Sequence, residues 1–430
     1  MNFKPNQTSV PVWFWPAALG FVTLSVFMIC VSVDSELLWE WFNIPHMQPF
    51  FADLVAVLAA SDARGAGLDP FAIPSPFDPF GRPHVYGPWW LYLHQIGLNR
   101  HDAAWLGIGL IVSSISVFSW LLKPKDWLQA LVAAAIITSP PFLLAYERGN
   151  IDLLVVLVLV IAGLAGPKTS GLILQALLIW VATALKFYPI AAVSLLAHQH
   201  KPRQTIIAVS VLGLAIVGAG CVWWGDIHQA LRLVPQPETT YGYGLKIIPY
   251  IWQNIPLFVG KISFLVGTIV GLGIVVWSGG FRKSLLLAMT EGASTGFFIG
   301  GGSTWAFCYF MNVNYPYRVV LLVLAASAWF RIWQTKTGKE FNGARLLVLL
   351  FAIMVWMHLP DFKDLLATLD EHYTTGFFAT GMEQGFALGL SMVIVAAVVL
   401  RFWTRIRTLQ THDTPCGQVR LADSNQANAK

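Results

Sequence analysis

Apolar runs of about 20 residues recur from one end of this chain to the other, and they decide its fold class before any motif is read. Each can cross a ~30 Å hydrocarbon layer as a helix, the form in which a single segment satisfies its own backbone polar groups in lipid. Charged residues make up 11% of the 430 positions, against roughly 25% in a soluble domain. An all-α polytopic membrane protein is therefore expected, with one integral membrane domain over residues 1–410 and a disordered cytoplasmic tail over 411–430.

Spans are expected near 12–33, 104–122, 127–146, 152–166, 171–186, 187–198, 205–224, 254–277, 284–301, 317–333, 345–360 and 382–402, about twelve in all. The segment 187–198 is too short to cross alone and carries Pro189, so it is expected to be re-entrant or broken. The first run is longer than a signal-peptide core and no Ala-x-Ala follows it, which makes it a retained helix with a cytoplasmic N-terminus. Basic residues gather in the short turns: Lys123 and Lys125, Lys168, Lys201 and Arg203, Arg282 and Lys283, Arg331 to Arg345, then Arg401, Arg405 and Arg407. Those turns face the cytoplasm by the positive-inside rule. Residues 34–103, with eight acids against three arginines, then form a long first external loop carrying surface helices, and a loop of that length is where function concentrates.

Composition also excludes chemistry. The net charge of +5 sits at helix ends rather than in one patch, so nucleic acid is no partner. Cys30, Cys221, Cys308 and Cys416 lie far apart without ligand spacing, and the external loop has no Asp-x-Asp pair. No metal and no cofactor is expected.

Within the loop, Pro49 can open a helix, and Phe50 to Ala60 has the periodicity of one lying on the membrane surface. Asp53 falls in its first turn. Asp62 lies about 180° round the helix, so only one of the two faces the protein. The glycines and the Asp-Pro of "RGAGLDPF" end the helix, and "YGPWWLYLHQIG" suits an interfacial belt. Two readings of Asp53 stay open: a first-turn carboxylate favoured by the helix dipole, worth ~0.3–1 kcal/mol, or one partly desolvated by Phe50 and Phe51 and so raised in pKa, ready to take a proton from a hydroxyl.

Five motifs then follow in order: Asp53-Leu54, Gly67-Leu-Asp-Pro-Phe71, Tyr86-Gly-Pro88, Gly149-Asn-Ile-Asp152 and Leu185-Lys-Phe-Tyr-Pro189. In this order the chain resembles the polytopic glycosyltransferases of family 87, in the GT-C superfamily, over roughly residues 12–335 and most sharply over 50–190. Phe71 departs from the family's tyrosine, Gly87 from its first proline, and Val55 or Val57 from a common aromatic. The resemblance implies a GT-C-like bundle that takes a sugar, a mannose-type hexose favoured, from a polyprenyl-phosphate donor. The acceptor would be a lipid or glycan on the outer face of the cytoplasmic membrane, with Asp53 as general base.

Such a reaction needs cations at the donor phosphate. Lys186, Arg318 and Arg148 all fall at expected outer helix ends. Each has a plainer reading: snorkelling for Lys186, an interface anchor for Arg318, and a pair with Glu147 or Asp152 for Arg148. Asn150 and Asp152 either cap the next helix or stand beside the donor, and Tyr86, Tyr188 and Tyr317 complete the expected pocket. The glycines of "TGFFIGGGSTW" at 295–305 lack a Gly-Lys-Ser/Thr ending and indicate helix packing or an unwound segment. His46, His84, His94 and His372 are given no ligand role. A transporter or lipid flippase is the alternative; no convincing repeat supports it, and Glu291 is the main charge within a span.

Overall fold

Prolines, glycines and short polar residues punctuate this chain, and the helices start and stop at them. The computed structural model describes residues 11–32, 37–42, 44–165, 168–235, 242–249, 293–311, 314–335, 339–357 and 374–412, with a few positions between 262 and 269. Most of the expected span 254–277, the basic turn at Arg282 and Lys283, Glu291, His372, Cys416 and the tail beyond His412 lie outside the described residues.

Fifteen described helices follow one another: α1 (Phe14–Ser32), α2 (Leu37–Trp41), α3 (Ala52–Gly65), α4 (Ala103–Leu122), α5 (Trp127–Ile137), α6 (Pro140–Arg148), α7 (Ile151–Leu164), α8 (Thr169–Leu185), α9 (Ser194–Gln199), α10 (Pro202–Val222), α11 (Trp224–Leu233), α12 (Ala293–Met311), α13 (Leu322–Thr335), α14 (Lys339–Trp356) and α15 (Thr374–His412). No strand occurs among the described residues beyond a single bridge between Tyr243 and Asn314. The chain is all-α.

Among the described residues four segments, Arg100–Leu122, Pro202–Val222, Pro316–Thr335 and Met382–Trp403, are long and apolar enough to cross a membrane. Together α5 and α6 make a fifth if they count as one span bent by 51°. The bend has a local cause. Ser139 is extended and Pro140 occupies the first helical position, so α5 cannot run on through them. The segment 187–198 is a 3-10 turn, Tyr188–Val193, followed by the six-residue α9, which agrees with its expected break.

The first loop departs from expectation. Its helix α3 does not lie on a surface: Ala52 to Val55, Val57 to Ser61 and Ala63 are all buried. Apolar residues occupy more than one side, and small alanines let the 3-10 segment Pro88–Ile96 pack closely against it. The glycines at 300–302 lie within an unbroken α12. A Cβ on Gly301 would come within 2.2 Å of Leu324 in α13, and one on Gly302 within 2.8 Å of Ile394 in α15. They serve close helix packing.

Candidate active site around Asp53 and Lys186

The position of Asp53 is set two residues earlier. Phe51 takes a left-handed conformation, φ 64°, and its N–H donates to the Glu147 carbonyl at 2.8 Å. Its ring fills space beside Gly107 and its Cβ lies against Gly149; added side chains there would meet it at 2.5 and 3.0 Å. A phenylalanine at positive φ is strained, at a cost of order 1–3 kcal/mol that the surrounding packing must hold. Both of its neighbours have to be glycine. Gly149 has a second reason, since it ends α6 at φ 56°.

This arrangement turns Asp53 toward donors rather than toward the two phenylalanines. The Asn150 amide Nδ2 donates to Asp53 Oδ2 at 2.5 Å, and Arg82 Nη1 stands 3.2 Å from Oδ1. Arg82 is itself held by Asp78, with Nε 3.0 Å from Oδ2, and by the Ala52 carbonyl at 2.5 Å. Asn150 caps α7, its Oδ1 accepting from the Asp152 N–H at 2.9 Å, and that bond fixes which way the amide points. The Lys186 ammonium lies 3.5 Å from the same Oδ1. One amide thus joins the carboxylate to the cation.

Beyond Asn150 the polar cluster continues. Lys186 Nζ pairs with Asp152 Oδ1, which also accepts from the Tyr188 hydroxyl at 2.5 Å. Asp152 is fully buried and Lys186 nearly so. The ammonium lies 5.3, 5.9 and 5.7 Å from the ring centres of Tyr86, Tyr188 and Tyr317, an aromatic enclosure that suits a cation. Arg318 stands over Tyr188 at 5.0 Å and donates through Nη1 to Asn314. Its Nε lies 3.8 Å from Asp152 Oδ2, and among the described residues neither atom has a hydrogen-bond partner.

The chain matches no protein-family model, no curated protein and no solved structure.

Asp53, Asn150, Asp152, Lys186, Arg318, Tyr86, Tyr188 and Tyr317, expected from spacing and resemblance, form one cluster. Arg148 stands apart. Its Nε is 3.0 Å from Glu147 and its Nη2 donates to the Pro45 carbonyl at 2.5 Å, while Glu147 accepts from the Met47 N–H at 2.7 Å. The plainer reading of Arg148 describes its contacts, and the pair pins the chain entering α3. Arg82 and Asp78 were missed. Their four-residue spacing is a weak signal, and nothing local points from them to Asp53. Asp69, in the Gly-Leu-Asp-Pro-Phe turn, accepts from the Phe71 N–H at 2.9 Å and so shapes the turn, while Phe71 is buried.

The third motif has a steric cause. Gly87 donates to the Leu185 carbonyl at 3.0 Å, and a Cβ on it would lie 1.7 Å from the Ala184 oxygen. Trp90 also donates to Leu185 at 3.0 Å, so the loop caps the end of α8 just where Lys186 begins. Gly87→Ala is expected to lift the loop off α8 and cost about 3 kcal/mol, seen as faster proteolysis of residues 66–87 and a lower unfolding midpoint. Wild-type resistance in that variant would mean that the close approach does not exist in the protein.

His84 adds a pH dependence. It is buried, one ring nitrogen 3.2 Å from the Gly87 carbonyl, and burial lowers its pKa from 6.5 to about 4. The unfolded chain therefore takes up this proton before the folded one. Stability is unaffected by His84 above pH 6.5 and falls as the pH drops toward 4, by about 3 kcal/mol at most. Thermal unfolding at pH 7 and pH 4.5 measures this; His84→Gln keeps a donor and should lose the acid sensitivity. An equal acid loss in both proteins would assign it elsewhere.

Proposed function

We propose that the chain is a membrane glycosyltransferase of the kind found in family 87 of the GT-C superfamily. It moves a sugar, a mannose-type hexose favoured, from a polyprenyl-phosphate carrier to a lipid or glycan acceptor at the outer face of the cytoplasmic membrane. In this reading the helices belong to a GT-C-like bundle of about twelve spans with residues 34–103 outside. The observation that carries it is the Asn150 bridge, which sets Asp53 and Lys186 on either side of one amide. A carboxylate base and a phosphate-binding cation have to stand this near to serve one sugar.

The acceptor hydroxyl oxygen bonds to the anomeric carbon as the bond from that carbon to the carrier phosphate breaks. The bonding pair leaves with the phosphate, and the hydroxyl proton passes to Asp53. Arg318, with Nε unpartnered, meets the phosphate's developing charge, and Lys186 stands behind it in its cage of tyrosines. The donor arrives activated, so no cofactor enters the step.

The test is direct: protein in nanodiscs is given polyprenyl-phosphate mannose, glucose or arabinose with an acceptor, and release of the bare carrier is followed. Release that requires the acceptor sustains the proposal. Absence of release, with lipid movement across the bilayer of proteoliposomes, would favour the flippase instead.

A further inference from the structure

We infer that Asn314 and Tyr243 are positioning residues that aim the Arg318 guanidinium at the donor phosphate, an inference that rests on the reading of Arg318 given above. Arg318 Nη1 donates to the side-chain oxygen of Asn314. That oxygen is held in place. The Asn314 amide nitrogen donates to the Cys308 carbonyl at 2.7 Å and to the Tyr243 carbonyl at 3.2 Å, so its two hydrogens are used there and its oxygen is turned to the guanidinium. The backbone is held by the same neighbour: the Asn314 N–H donates to the Tyr243 carbonyl at 2.6 Å, and the Asn314 carbonyl accepts from the Tyr243 N–H at 2.7 Å.

Tyr243 is in turn fixed to α15. It is fully buried, its hydroxyl donates to the Glu383 carboxylate, and its ring meets that of Trp305 in α12 edge-on, with centres 6.0 Å apart. The Gln384 amide grips the backbone on both sides of it, Nε2 donating to the Gly242 carbonyl at 2.5 Å and Oε1 accepting from the Gly244 N–H at 3.4 Å. Residues 242–244 thus form a strap from α15 to Asn314. Two further bonds join α12 to α15 beside it, from the Tyr309 hydroxyl to the Gln384 carbonyl at 3.2 Å and from Trp305 to Ser391 at 3.1 Å. Glu383 opens the apolar segment Met382–Trp403, where a buried acid is costly to keep. Anchoring the strap gives it a use.

The chemistry of residue 314 suits the task. Lys186 and Arg318 both stand against Asp152, two cations to one acid. A neutral amide oxygen orients the guanidinium and leaves that excess of positive charge for an anion, whereas a carboxylate at 314 would cancel it. A carboxylate would also set an oxygen against two carbonyls that now receive hydrogens.

The experiment uses the full chain in nanodiscs, with citronellyl phosphate as the probe of the phosphate end and citronellol as its uncharged control. Calorimetric titration compares the wild type, Asn314→Ala, Tyr243→Phe, Arg318→Gln and the two double variants. Asn314→Ala should weaken binding of the phosphate about ten-fold and Tyr243→Phe about three-fold, with citronellol binding unchanged in both. In the Arg318→Gln background both effects should vanish, because a positioning residue acts only through the group it aims. With polyprenyl-phosphate mannose and an acceptor, Asn314→Ala should lower kcat/KM for the donor about ten-fold and leave the acceptor KM within about two-fold. A merely structural role would lower kcat with the folded fraction and leave both KM values alone. Tyr243→Phe keeps every backbone bond of the strap and carries the test if Asn314→Ala does not fold. Effects of equal size with and without Arg318 would overturn the positioning role and leave the phosphate at Arg318, while wild-type affinity in Arg318→Gln would overturn both. Affinity for the phosphate that depends on Asn314 through Arg318, without any sugar transfer, would retain the positioning role and reject the transferase.

Discussion

Asp53→Asn is expected to slow sugar transfer by about a thousand-fold while the protein remains folded. General base catalysis is worth roughly 10²- to 10⁴-fold, and an amide at this position cannot take up the acceptor's proton. The fold survives because the partners of Asp53 have other bonds. Arg82 keeps Asp78 and the Ala52 carbonyl, and Asn150 keeps its cap on Asp152. Carrier release against time, with the unfolding midpoint as control, measures both halves. Transfer at the wild-type rate would remove Asp53 from the reaction, and unfolding would make it a structural acid.

Asp152→Ala is expected to behave in the opposite way, costing about 3–5 kcal/mol of stability because it strands buried cations. Lys186 would lose its counter-ion, Tyr188 its acceptor and Arg318 the nearest opposite charge. The double variant Asp152→Ala, Lys186→Met removes both halves of the pair and should recover much of that loss. Denaturation in mixed detergent micelles reads the two midpoints. Equal midpoints for Asp152→Ala and wild type would mean that the cluster is wetter than its burial implies, and no recovery in the double variant would place the cost on Tyr188 or Arg318.

Helix boundaries were legible in the sequence wherever one residue type has one physical use. Gly149 must stop α6 and Asn150 must cap α7, and both do. The pieces of the cluster were legible one by one, since Lys186 precedes a helix-breaking proline and Asp152 follows a cap. Their assembly was less so. Asp53 and Asn150 are 97 residues apart, and no periodicity relates them. Arg82 was hidden by its setting, a loop of prolines and glycines in which nothing local tells an ion-pair partner from a solubilising charge. The sequence of α3 reads as a surface helix because alternating small and large apolar residues resemble one with a single wet side, whereas the alanines are there for contact. Arg148 pairs with Glu147, its neighbour in sequence, which is the plainer of the two readings open for it.

Phe51 carries one further consequence. Because its ring and Cβ rest against two residues that have no side chains of their own, the acid two positions later takes its bearings from α4 and from the α6–α7 junction. A methyl group at Gly107 or Gly149 would press on Phe51 and shift Asp53 while every residue of the cluster stayed in the chain.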